Sequence, residues 1–190
     1  MTPWRPADLA TWAKGDWQGP ALEAPLGRFR TDTRALQRGD IFVALKTERR
    51  DGHAFLPAAR EAGASAAVVS RFDPAVALPQ LVVDDPLRGF QAIAAAWRRA
   101  FRGPVVGITG SCGKTTARSI LSLLLGPRCH ATEGNFNNLI GVPLTLTQLD
   151  PEAHDGAVIE AGIDRPGEMA QLDAMIQPDL ALFTLIGDAH

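Results

Sequence analysis

Val105-Val106-Gly107-Ile108-Thr109-Gly110-Ser111-Cys112-Gly113-Lys114-Thr115-Thr116 is the stretch on which the fold turns. A β-branched run enters a glycine-punctuated loop, and from Lys114 to Leu125 the pattern is helical. Strand, glycine loop and helix in that order form a phosphate-binding loop. The glycines let backbone N–H groups approach phosphate oxygens, and the helix N-terminus adds the positive end of its dipole. Lys114 is placed to reach the β- and γ-phosphates of a nucleotide, and the Thr115 hydroxyl to ligate Mg²⁺. The general pattern would put its first glycine at Ile108, whereas Gly107 comes one residue early, so an ordinary tight turn is the alternative. The chain has only three lysines (Lys14, Lys46 and Lys114), and one of them stands at this spot. The context favours a nucleotide site.

Outward from the loop the α/β alternation continues in both directions. Ala157-Val158-Ile159-Glu160 reads as a strand ending in an acid, the position from which a carboxylate beside a phosphate loop holds Mg²⁺. A solvated strand-end carboxylate is the competing reading. Leu180 to Ile186 reads as a further strand, followed by Gly187-Asp188-Ala189-His190. His190 could add a metal ligand, or could be a solvated histidine. Upstream, Asp84 or Asp85 can cap a helix over 86–102 with Pro86 at its first position and Gly103-Pro104 as its stop. Its Leu87, Phe90, Ile93, Ala94, Trp97 and Phe101 share one face, and Arg98, Arg99 and Arg102 are expected to form a solvated cluster that complements the helix dipole. Strands are expected at Ile41–Leu45, Ala66–Val69 and Leu81–Val83, with a helix over 54–62 ending at Gly63. The fold class is therefore α/β: a small N-terminal domain, residues 1–84, then the first part of a P-loop parallel-sheet ATPase domain, residues 85–190.

Composition bounds the function. With 190 residues, 46% hydrophobic and 21% charged, the chain can bury a core, which excludes a disordered tail. Nineteen basic against 21 acidic residues argue against nonspecific nucleic-acid binding, which needs a basic footprint. Cys112 and Cys129 make neither a disulfide framework nor a metal-ligand spacing. Met1 to Pro6 shows no apolar signal region, and no window approaches the roughly 20 apolar residues of a membrane span. A reduced, cytoplasmic protein is expected.

Thr31-Asp32-Thr33-Arg34, Thr109 to Thr116, Gly134-Asn135-Phe136-Asn137-Asn138 and Val158-Ile159-Glu160 together resemble motifs of the Mur ligases. Thr31-Asp32-Thr33-Arg34, with Arg38-Gly39-Asp40-Ile41-Phe42-Val43-Ala44-Leu45 and Asp51-Gly52-His53, is similar to the family's N-terminal, UDP-binding domain. Thr109 to Thr116 is similar to its ATP loop. Glu133-Gly134-Asn135-Phe136-Asn137-Asn138-Leu139-Ile140-Gly141-Val142-Pro143 resembles its Gly-Asn-x-Asn-Asn segment, and Val158-Ile159-Glu160 with Gly162 and Pro166-Gly167-Glu168 its metal-binding strand. The resemblance implies an ATP- and Mg²⁺-dependent amide ligase of peptidoglycan precursor synthesis, a monomer that joins D-Ala-D-Ala to UDP-MurNAc-tripeptide through an acyl phosphate. It implies a catalytic set of Lys114, Glu160 and His190, with metal at Thr115, Glu160 and His190. It further implies nucleotide contacts from Gly110, Ser111, Cys112, Gly113, Lys114, Thr115, Thr116 and Asn138, and UDP contacts from Thr31, Asp32, Thr33 and Arg34. The asparagines could instead only make turns, and the 31–34 group could be a polar strand end. His53 reads as structural.

The departures from the family lie near the site. Cys112 stands where Asn or Ser is commoner, and Thr47 where Gly is usual. Ala161-Gly162-Ile163-Asp164-Arg165 replaces the common Leu-Gly-Ala-Asn-His. A paralogue with a different peptide substrate is therefore an open reading. So is a nucleotide- or UDP-sugar-binding module without catalysis, because no lysine follows Lys114. A generic P-loop kinase or ATPase would leave the N-terminal motif unexplained. The motif order reads as the N-terminal portion of a longer enzyme.

Overall fold

The structure, a computed structural model, describes residues 4–22, 25–48 and 50–187. The chain forms two compact units that divide inside one helix, between Ile93 and Ala94.

In the first unit, α1 (Pro6–Ala13) precedes β1 (Asp16–Gln18), β2 (Phe29–Arg30), β3 (Ile41–Val43), α2 (Leu56–Glu61), β4 (Ala66–Val69) and β5 (Gln80–Val82). The sheet order is β1-β5-β4-β3-β2, parallel throughout except for β1, which runs antiparallel to β5. Period-two alternation sends Phe42, Ala67 and Val69 into a core with Leu56, Ala59, Val76 and Leu78, while Ile41, Val43, Ala66 and Val68 are buried on the other face. A parallel sheet covered on both faces gives such continuous apolar runs. Phe29 packs its ring between Trp4 and Phe90, at centroid distances of 5.3 and 5.0 Å. The expected strand at 41–45 stops at Val43, because the chain folds back there and the Leu45 N–H donates to the Val43 carbonyl. Buried Asp40 fixes the entry to β3: it accepts from the Arg28 and Gln37 amides and from Arg30 Nε, each at 3.1 Å.

α3 (Pro86–Ala100) begins as the sequence predicts, with Asp85 Oδ1 accepting from the Leu87 and Arg88 amides. The second unit continues with β6 (Val105–Thr109), α4 (Lys114–Leu125), β7 (Cys129–Ala131), α5 (Gly141–Leu146), β8 (Gly156–Glu160), α6 (Glu168–Ile176) and β9 (Leu180–Phe183). Its sheet order is β7-β8-β6-β9, all parallel. Val105, Ala157 and Ile159 pack with Ala94, Phe101, Val142, Leu146, Leu172 and Met175, so α3, α5 and α6 cover one face. Val158 and Glu160 alternate to the opposite face, where α4 lies. Right-handed crossovers require this split, since β6 to β7 runs one way along the sheet and β7 to β8 and β8 to β9 run the other. Trp97 donates Nε1–H to the Leu149 carbonyl at 2.8 Å. β9 is exposed along its length, as are Leu123 and Leu124 of α4.

Arg98 departs from the solvated cluster expected of it. It is buried, and its guanidinium donates to the carbonyls of Ile176 (2.9 Å), Gln177 (2.8 Å) and Phe101 (3.3 Å) and to Asp179 Oδ2 (3.0 Å). It thus satisfies carbonyls that α6 leaves open at its C-terminus. Arg99 and Arg102 are exposed, as expected.

Candidate functional site

The C-terminal ends of β6, β8 and β9 bring Lys114, Thr115, Glu160 and Thr184 to one place. Ligands of parallel α/β sheets bind at this end, where the strand order reverses. β6 passes into the loop Gly110–Gly113 and α4 starts at Lys114, as the sequence predicts. Gly110 has φ +136°, and a Cβ there would overlap the Thr184 hydroxyl and the Leu185 backbone. Gly113 turns the chain into α4 at φ +88°. Both conformations are open to glycine and strained for other residues. No side chain caps α4, so the first-turn N–H groups of Lys114, Thr115 and Thr116 point to the loop without an intrahelical partner.

The loop is held from β9. The Thr184 hydroxyl donates to the Cys112 carbonyl at 2.6 Å, and the Ser111 amide donates to the Leu185 carbonyl at 2.7 Å. Ser111 Oγ donates to the Gly187 carbonyl and accepts from the Gly187 amide, at 3.0 and 3.2 Å. Lys114 Nζ donates to the Gly110 carbonyl at 2.6 Å, which keeps its charge over the loop.

Glu160 lies directly opposite Ile108 in the β6–β8 register and is fully buried. Its backbone N–H donates to Thr132 Oγ1 at 2.9 Å. Its Oε2 accepts from Thr115 Oγ1 at 3.4 Å, while Oε1 makes no aligned hydrogen bond and has Arg118 Nε 3.3 Å away. A buried carboxylate whose Oε2 has only the exposed Thr115 hydroxyl for a partner, at 3.4 Å, suits a hard cation such as Mg²⁺. That ion takes one or two protein oxygens and keeps waters for its other positions. The residues present therefore fit the metal that the phosphate loop implies. The strand-end acid is a buried group, which removes the solvated reading of Glu160.

A cleft of about 520 Å³ opens over the loop, lined among others by Gly110, Lys114, Asn137, Asn138, Asp164 and Leu185. Asn138 Oδ1 accepts from the Ile140 and Gly141 amides at 3.1 and 2.9 Å, in the turn that leads into α5. The turn-making role is thus real for Asn138, and it sets the residue at the wall of the cleft that also holds Lys114. The Asn137 carbonyl accepts from the Gly162 amide at 2.7 Å, tying this segment to the end of β8. Glu168 Oε2 accepts from the Asp164 and Arg165 amides and fixes the turn that carries Ile163 and Asp164 into the cleft. His190 lies outside the described residues.

Thr31 to Arg34 belong to the first unit, at the C-terminal end of β2. Asp32 caps a 3-10 turn over Thr33–Ala35 and takes the Arg34 guanidinium through both oxygens, at 2.6 to 3.1 Å. The Arg34 hydrogen bonds, with a smaller contribution from the Arg50 charge, hold the Asp32 carboxyl down at about 2. At the ends of β3 and β4, His53 Nδ1 lies 2.6 Å from Asp51 Oδ1, and the Ser70 amide donates to His53 Nε2 at 2.9 Å. Hydrogen bonds from the His53 backbone and ring hold the Asp51 carboxyl well below the usual carboxylate range. Aspartate, histidine and serine line up here as in a hydrolase. However, a backbone N–H occupies the Nε2 lone pair, so the imidazole cannot take a proton from the Ser70 hydroxyl. His53 is structural.

Sequence reasoning missed Thr184, Thr132 and Arg118. Thr184 and Thr132 act through partners more than 25 residues away, and no local pattern marks them. Arg118 had a local signal: three residues after Thr115, it lies on the same face of α4.

Residues 108–190 match the model of the Mur ligase middle domain. The UDP-N-acetylmuramoyl-tripeptide–D-alanyl-D-alanine ligase of Synechocystis sp. is 43% identical over 166 residues, covering 84% of this chain and 36% of that protein. The Escherichia coli protein of the same name is 42% identical over 187 residues, covering 97% and 40%. Among solved structures, MurF from Acinetobacter baumannii superposes with a TM-score of 0.89 at 35% identity, over 100% of this chain and 42% of that one. MurF from Thermotoga maritima in complex with ADP gives 0.73 at 34% identity, over 86% and 38%. The chain thus spans about two fifths of the length of these relatives.

Proposed function

The chain belongs to the Mur ligase family, and we propose that it carries the nucleotide site of an ATP-dependent amide ligase of peptidoglycan precursor synthesis. The observation that carries this reading is the uncapped N-terminus of α4 behind Gly110–Gly113, with Lys114 above it and buried Glu160 beside Thr115. In the proposed reaction, a terminal carboxylate oxygen of UDP-MurNAc-tripeptide attacks the γ-phosphorus of ATP, and ADP leaves. The amine of D-Ala-D-Ala then attacks the acyl phosphate, an amide forms, and phosphate and a proton are released. Phosphoryl transfer of this kind needs positioning and charge neutralisation rather than a protein nucleophile. Lys114 and the α4 amides orient the phosphates. Thr115 and Glu160, with His190, would hold Mg²⁺, which neutralises phosphate charge when bound. Asn138 contacts nucleotide or substrate from the cleft wall, and Thr31, Asp32, Thr33 and Arg34 contact the UDP moiety. Residues 1–84 form the UDP-substrate domain and 85–190 the first part of the ATP-binding domain. Substrates of this kind place the reaction in the cytoplasm.

Calorimetric titration of the 190-residue chain with ADP and Mg²⁺ tests the reading. Wild type is expected to bind, and Lys114→Ala to lose about tenfold or more in affinity, the loss of one charge-assisted phosphate contact. Equal binding by both, or none by folded wild type, refutes it. The cleft positions Ile163 and Asp164, which depart from the family pattern, favour a second reading, a paralogue acting on a different peptide. Titration with UDP-MurNAc-tripeptide against UDP-MurNAc carrying other peptides separates the two.

A further inference from the structure

Arg118 is the one cation that touches Glu160 among the described residues, and its side chain is only 14% exposed. Its Nε lies 3.3 Å from Glu160 Oε1. Its Nη1 donates to the carbonyls of Thr132 and Gly134, the latter at 3.3 Å. Thr132 in turn accepts from the Glu160 amide, and Gly134 leads directly into Asn135–Asn138. One guanidinium therefore spans the phosphate-loop helix, the strand-end acid and the segment that forms the cleft wall. A planar fork of five donors can serve a carboxylate and two carbonyls together; an ammonium cannot.

We propose that Arg118 is a positioning residue for the cation side of the nucleotide site. Its charge balances the buried Glu160 carboxylate through Oε1 and leaves Oε2 turned to Thr115, while Nη1 sets the start of the Asn135–Asn138 segment. The two carboxylate oxygens are divided between protein and ligand. Arg118 does not stand in for the cation, because it approaches Oε1 whereas Thr115 lies on Oε2. A buried carboxylate stripped of its counter-charge would be costly to keep in place. Partners that orient a metal-binding group in this way change metal affinity by about 10- to 100-fold when removed. The inference rests on the proposed nucleotide-binding reading.

The test uses the 190-residue chain as wild type, Arg118→Gln and Arg118→Lys. ADP affinity is measured by calorimetry with Mg²⁺ and with EDTA, and amide exchange of residues 132–138 is followed without nucleotide. The factor by which Mg²⁺ tightens ADP binding is expected to fall about tenfold or more in Arg118→Gln and to stay within about threefold of wild type in Arg118→Lys. Exchange at 132–138 is expected to quicken in Arg118→Gln and also in Arg118→Lys, which keeps the charge beside Glu160 but lacks the planar fork that holds both carbonyls as well. A wild-type Mg²⁺ factor in Arg118→Gln overturns the proposal. So does a larger factor, which would make Arg118 a competitor of the cation. If Arg118→Gln does not fold, Arg118→Lys decides: a factor as low as that of Glu160→Gln overturns the proposal. Wild type that binds no ADP removes the nucleotide reading and this inference together, whereas Mg²⁺-dependent wild type with an unaffected Arg118→Gln removes the inference alone.

Discussion

Replacing Arg98 with alanine should destabilise the second unit by about 3 kcal/mol. The guanidinium serves four oxygens, and their exposure decides the cost. Gln177 and Asp179 are exposed, so their oxygens regain water when Arg98 is lost. Ile176 and Phe101 are buried, and their carbonyls lose a partner that water does not readily replace. Two such carbonyls cost about 1–2 kcal/mol each, and the lost packing of the Arg98 stem adds to that. Asp179 Oδ2 also accepts from the Val105 amide at 2.8 Å, so the damage reaches the first residue of β6. Native-state hydrogen exchange reads the unit separately, since α6 and β6 amides open with its own free energy. A loss of 3 kcal/mol is a rise of roughly 150-fold in their opening equilibrium. Arg99→Ala, one position along the same helix and exposed, should change exchange by less than about 0.5 kcal/mol. An Arg98→Ala effect below about 1 kcal/mol would refute the capping role and return Arg98 to the solvated cluster.

Two further outcomes follow from the site and from the first unit. Gly110→Ala should weaken ADP binding by about tenfold or more in a chain that still folds, because the added methyl group meets Thr184 and Leu185 at a positive φ that alanine tolerates poorly; unchanged affinity in calorimetry would show that the loop does not need that close approach. Asp32 should titrate near its depressed value of about 2 in a carboxyl NMR experiment, against an ordinary 3.8. A lowered folded-state value means that the Asp32–Arg34 pairing contributes fully above 3.8 and is lost as pH falls through about 2; a midpoint at 3.8 would show that the exposed pair does not persist in solution.

What the sequence disclosed depended on how local the physics was. Glycine punctuation and a β-branched run bound β6 and α4 to the residue, short apolar runs located β4 and β8, and a one-faced apolar stripe located most of α3. Other elements carried no local mark. β1 and β7 are three residues long, and α5 is buried on every side, so neither alternation nor an amphipathic stripe betrays them. α5 even contains Pro143, which it accommodates in its first turn. Arg98 failed for a different reason. A basic residue near a helix C-terminus suits the dipole of its own helix, and only the tertiary approach of α6 turned it inward. In the site, Lys114, Thr115 and Glu160 were legible because a strand-end register brings an acid to a phosphate loop. Thr184 acts through a carbonyl of a distant segment, which residue type does not encode, and the i+3 spacing of Arg118 from Thr115 gives no sign of its bonds to Thr132 and Gly134.

The indole bonded to Leu149 also has an optical consequence. Trp4, Trp12 and Trp17 lie in the first unit, and Trp97 is the lone tryptophan of the second. Three-quarters of the intrinsic chromophores thus report on one unit, and a bulk fluorescence melt is weighted toward it. With Trp4, Trp12 and Trp17 changed to phenylalanine, the remaining emission would come from a half-buried ring whose N–H is held by a carbonyl, a single-site signal for the unit that carries the phosphate loop.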